Sequence, residues 1–256
     1  MYIRRMSYNK MKKIFIHIPK NGGMSLRHDT TMKKHIMLAE PRNHKSPEYT
    51  KAVLETMYKN GDHHGWQHAR WRDLNPDLIT TTEAFAIVRN PWARVVSRFM
   101  FAKKVIEGEK KINRFQWDGK TYVIHTGKSD YADISSFEAF LEERHKWGNK
   151  KYMWHRAVRG WYPAYDYVSD NKDNVRCDIL RLEHIDEELP KYFGFEKMHL
   201  RPRNVTGYKK DYKNFYNKKT IQIVADWYKK DIDFWGFDFD TSATKNTYNT
   251  WKVRAK

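Results

Sequence analysis

Two segments about seventy residues apart constrain this chain more than anything else in it. Lys13–Leu26 reads KIFIHIPKNGGMSL, and Ala84–Phe99 reads AFAIVRNPWARVVSRF. Each is a short apolar run that stops at polar, anion-seeking residues and then takes on helical periodicity. Lys13–Ile18 is apolar on both alternating faces except at His17, the pattern of a strand covered on both sides. Pro19 ends it, Gly22 and Gly23 permit a tight turn, and a helix is expected to start near Met24. Ala84–Val88 is a second strand of the buried type. Asn90-Pro91 then punctuates, with proline suited to a first helical turn. Trp92, Val95, Val96 and Phe99 form that helix's core face, and Arg94 and Ser97, three residues apart, share another face.

Strands alternating with helices imply an α/β fold, a central parallel sheet flanked by helices. Ligands of such sheets bind at the carboxyl ends of the strands. The first segment presents Lys20, Gly22, Gly23 and Ser25 at such an end, and the second presents Arg89, Arg94 and Ser97. Two strand–loop–helix units with anion ligands at one end call for a ligand bearing two separate anionic groups. The two glycines let backbone N–H groups close on one anion, and the helix N-terminus adds partial positive charge. Arg89 leaves a buried strand directly at the ligand edge, where its planar fork suits a phosphate. The first loop is not a Walker A motif, because Lys20 precedes the glycines.

Further along, Ser136–Arg144 reads as a helix capped by Ser136, and Cys177–Leu182 as another strand followed by an acidic helix to Tyr192. Lys219–Trp235 reads as one amphipathic helix stopped by Gly236. With 256 residues and neither repeats nor a low-complexity linker, a single domain over 1–256 is expected. Residues 1–12 read as a loose start, 104–135 as an insertion or loop region, and 241–256 as a polar tail.

The net charge of +18 predicts an anionic partner without naming it; nucleic acid, a phosphorylated cofactor and an acidic polysaccharide all fit. The single cysteine, Cys177, cannot form an internal disulfide and lies in an apolar run, so a buried thiol is expected. The apolar stretch near the N-terminus is too short for a signal peptide or a membrane span, and a cytoplasmic protein without membrane contact is the expectation. HHGWQH is the nearest approach to a metal-ligand cluster, but no compact carboxylate or thiolate set completes it, so no metal is expected.

At these residues the chain resembles the sulfotransferases. IPKNGGMSL is similar to their 5′-phosphosulfate-binding loop, and VRNPWARVVSRF to their 3′-phosphate-binding segment, with an arginine and a serine eight residues apart. The carbohydrate enzymes, including the heparan 2-O type and bacterial or viral relatives, are the nearest in look. RLEHIDEEL and YKKDIDFWGF carry the likeness weakly toward the C-terminus.

The resemblance implies a P-loop nucleotide-kinase-like sulfotransferase fold and sulfuryl transfer from 3′-phosphoadenosine-5′-phosphosulfate (PAPS) to a hydroxyl of a carbohydrate or glycan-like acceptor, acidic or neutral. Adenosine-3′,5′-bisphosphate (PAP) is the product, no metal takes part, and no nucleic acid is bound. Lys20, Asn21, Gly22, Gly23, Met24, Ser25 and Leu26 would hold the 5′ end, and Arg89 and Ser97 the 3′-phosphate. Asn21 stands where the family has threonine and Met24 where it has a hydroxyl residue; backbone donors survive both changes. Lys20 would stabilise charge on the departing bridging oxygen.

Attack by a hydroxyl needs a base, a role suited to histidine. QHARWRDL matches the family's catalytic-histidine region best, placing His68 as the base, with His64 as the second choice and His63 nearby. Acceptor contacts are sought in the basic, aromatic middle of the chain, at Arg114, Trp117, Lys150, Lys151, Trp154, His155, Arg156, Arg159 and Trp161. Two other classes stay open. A nucleotide or small-molecule kinase would want a Walker A loop and a magnesium-binding carboxylate, and a basic nucleic-acid-binding protein would explain the charge.

Overall fold

A computed structural model describes residues 12–59, 67–107, 115–117, 120–122, 133–147, 161–203 and 211–247. Four parallel strands make the central sheet in the order β2-β1-β3-β6: β1 Lys13–Ile16, β2 Ile36–Leu38, β3 Ala84–Val88 and β6 Asp178–Arg181. A separate antiparallel pair, β4 Phe115–Trp117 and β5 Lys120–Tyr122, lies within the expected loop region. The helices are α1 Gly23–His28, α2 Met32–His35, α3 Pro47–Lys59, α4 Pro76–Thr81, α5 Pro91–Ile106, α6 Phe137–Trp147, α7 Ala164–Val168, α8 Ile185–Phe193, α9 Lys218–Trp227 and α10 Lys229–Trp235.

The two-residue alternation of the strands sorts the core into two layers. Ile14, Ile16, Ala84, Ala86, Val88 and Ile179 face one way, against Val95, Val96 and Phe99 of α5 and residues of α3, α9 and α10. Phe15, Phe85, Ile87 and Leu180 face the other way, against Leu26 of α1, Met32 of α2, and Leu189 and Phe193 of α8. The small Ala84 and Ala86 let α5 lie close to the sheet.

The chain runs from β1 out to β2 on one side and then crosses to β3 on the other. The strand order therefore switches direction between β1 and β3, where ligand crevices open at the carboxyl ends of parallel strands. Ile14 pairs with Ala84, and Ile16 with Ala86, so the two loops that follow emerge side by side.

Several boundaries differ from the sequence expectations, each for a local reason. β1 ends at Ile16 rather than Ile18 because the Ile18 amide turns back onto the Ile16 carbonyl at 3.1 Å and leaves the ladder. The expected strand Cys177–Leu182 is Asp178–Arg181. The expected single helix Lys219–Trp235 is two, α9 and α10, meeting at the buried Tyr228, whose ψ of 22° bends the axis; Gly236 ends α10 at φ 66° as expected. Residues 104–106 of the expected loop region continue α5. Ser136 caps α6 through a 3.0 Å bond from the Ala139 amide.

The expected polar tail is packed over its first part. Ala243 is fully buried, its carbonyl accepts from Arg181, and the Thr244 amide donates to Trp235. Residues 248–256 lie outside the described residues, as do residues 1–11. Cys177 is buried, and burial pushes its thiol well up from its ordinary pKa. Among the described residues no helix is long and apolar enough to cross a membrane.

Candidate active site

The β1–α1 loop is built to present amides. Lys20 has φ 68° and Gly22 φ 76°, so two left-handed residues reverse the chain within a few positions, and α1 begins at Gly23. Left-handed backbone at a non-glycine residue costs about 1 kcal/mol or more and is found where the surroundings fix it. Here the Lys20 carbonyl accepts from Arg89 Nη1 at 3.2 Å, the Pro19 carbonyl accepts from Arg94 Nε at 3.1 Å, and Asn21 Nδ2 donates to the Ile87 carbonyl at 2.8 Å. Three bonds from β3, α5 and the turn between them thus clamp the loop. Among the described residues no hydrogen bond engages the amides of Gly22, Gly23 or Met24, which sit at the positive end of α1.

Gly23 is a glycine for want of space. A Cβ there would lie 2.1 Å from Cδ2 and 2.3 Å from Nε2 of His17. Ser25 Oγ accepts from the Arg203 amide at 2.9 Å, leaving its hydroxyl proton for a ligand. Of the other expected loop ligands, Asn21 spends its side chain on the brace to β3, Leu26 is a fully buried core residue, and Met24 is half-buried. These three can meet a ligand only through backbone or, for Met24, by apolar contact.

At the end of β3, Asn90 holds the second loop together. Its Oδ1 accepts from the amides of Trp92 and Ala93 and so caps α5, and its Nδ2 donates to the carbonyls of Asp238 and Thr241. The Asn90 amide donates to Glu183 Oε1 at 2.8 Å. Asn-Pro in the sequence marked only a turn. The N-cap pattern was legible there; the long-range bonds to residues 238 and 241 were not.

Arg89 is half-buried and makes no ion pair among the described residues. Burial lowers its pKa while Glu183 raises it and Arg94 lowers it. Ser97 is half-exposed. On α5 it lies between Arg94, which reaches Pro19, and Phe101, whose ring lies 4.1 Å beneath the Lys20 ammonium. That helix face therefore looks onto the β1–α1 loop. The structure brings together Lys20, Gly22, Gly23, Ser25, Arg89 and Ser97.

Arg94 does not belong with the ligands. It is buried at 1% exposure, bonded to the Pro19 and Tyr162 carbonyls, and acts as a brace. One turn on, Arg98 is fully buried, and among the described residues none of its three guanidinium nitrogens has a hydrogen-bond partner. Burial, with Arg94 beside it, pulls its pKa down to about 10, which leaves it charged at neutral pH. Nearby Asp231 accepts from the Ala164 and Tyr165 amides, and burial raises its carboxyl to about 6.

His68 is buried at 5% exposure beneath this loop. Its Nδ1 lies 2.6 Å from the His17 carbonyl oxygen, which can only accept, so Nδ1 carries the proton. Nε2 then keeps the lone pair, and it has no partner among the described residues. Burial pulls the imidazole down from 6.5 to about 3. The bond to His17 opposes that, and the charges of Arg98, Arg27 and Lys20 add to it. His68 is thus a neutral imidazole with a fixed tautomer beside the loop. His63 and His64 lie outside the described residues. So do all the proposed acceptor residues except Trp161, which is 1% exposed and belongs to the core, and Trp117, of which only the backbone is described.

A cavity of about 400 Å³ opens beyond α1, along the outer edge of β2. Its cations are Lys12, Arg27, Lys33 and Arg42, against which Glu40 approaches Arg27 at 3.8 Å and Arg42 at 3.6 Å. Arg27 lies on α1, the helix whose first residue is Gly23 of the donor loop.

No curated protein and no solved structure matches the chain. The model of the sulfotransferase family matches residues 7–238, nearly the whole chain and both loops just described. A parallel sheet with its crevice at the β1–β3 switch, and amides and a guanidinium at the two strand ends, accords with that match, and the chain belongs to the sulfotransferase family.

Proposed function

We propose that this chain transfers a sulfuryl group from PAPS to a hydroxyl of a carbohydrate or glycan-like acceptor. The family supplies sulfuryl transfer in general, and PAPS is its usual donor. One observation carries the donor assignment. The Gly22–Met24 amides, which have no hydrogen bond among the described residues, and the Arg89 guanidinium, which has no ion pair among them, leave adjacent parallel strands at the same edge. A ligand with anionic groups at both ends of a nucleoside fits that pair, with its 5′ end on the amides and Ser25, and its 3′-phosphate on Arg89 and Ser97.

The chemistry follows from positioning and charge. His68 Nε2 accepts the proton of the acceptor hydroxyl as its oxygen bonds to sulfur. Lys20, leaving its place over Phe101, neutralises the bridging oxygen as the sulfur–oxygen bond to the nucleotide breaks. The α1 amides hold the phosphate end still throughout. Arg89 fixes the far end, so that the sulfur lies in line between the two oxygens.

The basic cavity beside α1 supports an acidic acceptor, because Lys12, Arg27, Lys33 and Arg42 outnumber the one carboxylate among them. Calorimetric titration with PAP beside 5′-AMP, in the wild type and in Arg89→Ala, tests the donor site. Tight binding that requires the 3′-phosphate and fails in the variant is expected. Equal binding of both nucleotides would sink the assignment.

A further inference from the structure

We propose that the His17 side chain is a positioning residue, a ring wedge that sets the general base His68 in register with the donor loop. The proposal rests on His68 acting as the base, and it concerns a residue that the loop motif and the base motif both leave aside.

Four contacts define the wedge. The His17 and His68 rings lie with centroids 4.2 Å apart, inclined at 55°. The His17 carbonyl takes the Nδ1 proton of His68 at 2.6 Å. On another side, the His17 imidazole lies against the Cα of Gly23, so closely that no side chain larger than hydrogen fits there. Behind it, Phe15 stacks on the same ring with centroids 5.5 Å apart and planes inclined at 21°. Phe15 is itself fixed in the sheet by Phe85, at 5.2 Å between centroids. His17 is 3% exposed, so its ring has little freedom to move away from these neighbours.

The ring thus joins three parts that must agree for transfer to occur. Gly23 carries one of the amides that hold the donor, His68 takes the acceptor proton, and the Phe15–Phe85 stack anchors both to the sheet. A shift of either end by about 1 Å is enough to cost on the order of 100-fold in rate. The backbone carbonyl fixes which nitrogen of His68 bears the proton. The side chain fixes where the ring stands. Shape performs that second role, so an aromatic hydrocarbon of similar size should serve.

The test compares His17→Ala, which removes the wedge, with His17→Phe, which keeps a ring. PAP affinity, turnover and the imidazole ¹⁵N shifts of His68 are read for each. In the wild type and His17→Phe, His68 should show one neutral tautomer protonated at Nδ1, and turnover in the Phe variant should stay within about threefold of wild type. In His17→Ala, turnover should fall by on the order of 10- to 100-fold, with PAP affinity within about threefold, and the His68 shifts should move toward a tautomer average as the released ring drifts from the His17 carbonyl. If His17→Ala does not fold, His17→Asn, also ringless, takes its place.

An Ala variant with wild-type turnover and unchanged His68 shifts would overturn the proposal. A Phe variant as slow as Ala would overturn it too, by showing that the His17 nitrogens matter. If His68→Ala retains turnover, the base assignment fails separately, and the ¹⁵N shifts still report whether His17 holds the ring.

Discussion

Replacing Gly23 with alanine tests the packing of the site at its tightest point. Gly23 lies outside the left-handed region, so alanine meets no backbone penalty there, and as a better helix former it gains about 0.5–1 kcal/mol at the head of α1. The new methyl would, however, lie 2.1 Å and 2.3 Å from two ring atoms of His17, where ordinary contact begins at 3.4 Å. Either the ring or the loop must therefore move by more than 1 Å. The ring cannot turn freely, with His68 on one side and Phe15 on another. Overpacking of this kind costs about 1–3 kcal/mol, so a net loss of about 1–2 kcal/mol is expected. For a chain of this size that lowers Tm by roughly 2–8 °C. Displacement of the loop amides should weaken PAP binding by on the order of 10-fold or more, and turnover should fall further because His68 moves with His17. Calorimetry for Tm, titration with PAP and a sulfuryl-transfer assay read the three effects. Gly22→Ala is the contrast: it sits at φ 76° and meets only the flexible tip of Leu182, so backbone strain of about 1 kcal/mol dominates and His68 is undisturbed. A Gly23→Ala protein with wild-type Tm and turnover would refute the packing argument outright.

Four further outcomes follow from the same contacts. His68→Ala should reduce turnover by on the order of 100-fold or more while PAP binding survives, and near-normal turnover would remove His68 from the chemistry. Because His68 is held neutral down to about pH 3, the acid limb of kcat/KM should show no step near 6.5, and a limb there would contradict its burial. The same depression makes the unfolded chain take up the His68 proton first. His68 therefore contributes stability that is full above pH 6.5 and is lost as the pH falls from 6.5 toward 3, whereas Asp231, with its carboxyl raised to about 6, opposes it by losing stability as the pH rises from about 4 to 6. Denaturant unfolding of Asp231→Asn across that range should show a steeper loss toward acid than the wild type. Arg98→Met, which removes a buried guanidinium that has no hydrogen-bond partner among the described residues, should leave stability unchanged or raise it by about 1–4 kcal/mol; a clear loss would mean the charge is compensated after all.

Much of the fold could be read from residue pattern because its central strands are covered on both faces. KIFI and AFAIV are short, mostly apolar and followed three residues later by proline, and the third strand, Asp178–Arg181, lies within the run CDILRL, whose Cys, Ile and Leu mark it. β2 escaped notice for the opposite reason. Ile36–Leu38 is three residues long, lies at the sheet edge and follows a basic turn of helix, so neither length nor alternation marks it. Yet β2 creates the topological switch, since without it β1 and β3 would be neighbours with no reversal of order. α3 and α4 were likewise missed in a polar stretch, where their apolar positions are spaced among charges.

At the site, legibility divides between ends and interior. Gly22, Gly23, Ser25 and Arg89 stand where the chain leaves strands, and breakers announce such places. The long-range bonds of the interior braces carry no local signal, because each joins residues far apart in sequence: Asn21 Nδ2 to Ile87, Arg94 to Pro19, Asn90 Nδ2 to Asp238 and Thr241. Arg94 shows the confusion this causes. Its spacing from Ser97 places both on the loop-facing side of α5, but its length carries the guanidinium to a carbonyl beneath the loop, and burial does the rest. The same geometry explains why the site is so basic. Arg94 and Arg98 are buried within one helical turn behind a loop that already bears Lys20, with Arg89 beside it. Among the described residues none of the three arginines forms an ion pair. Positive charge packed this densely repels itself until a multiply charged anion arrives, so donor-type anions should stabilise this fold by more than their contacts with Arg89 and the loop amides alone would supply.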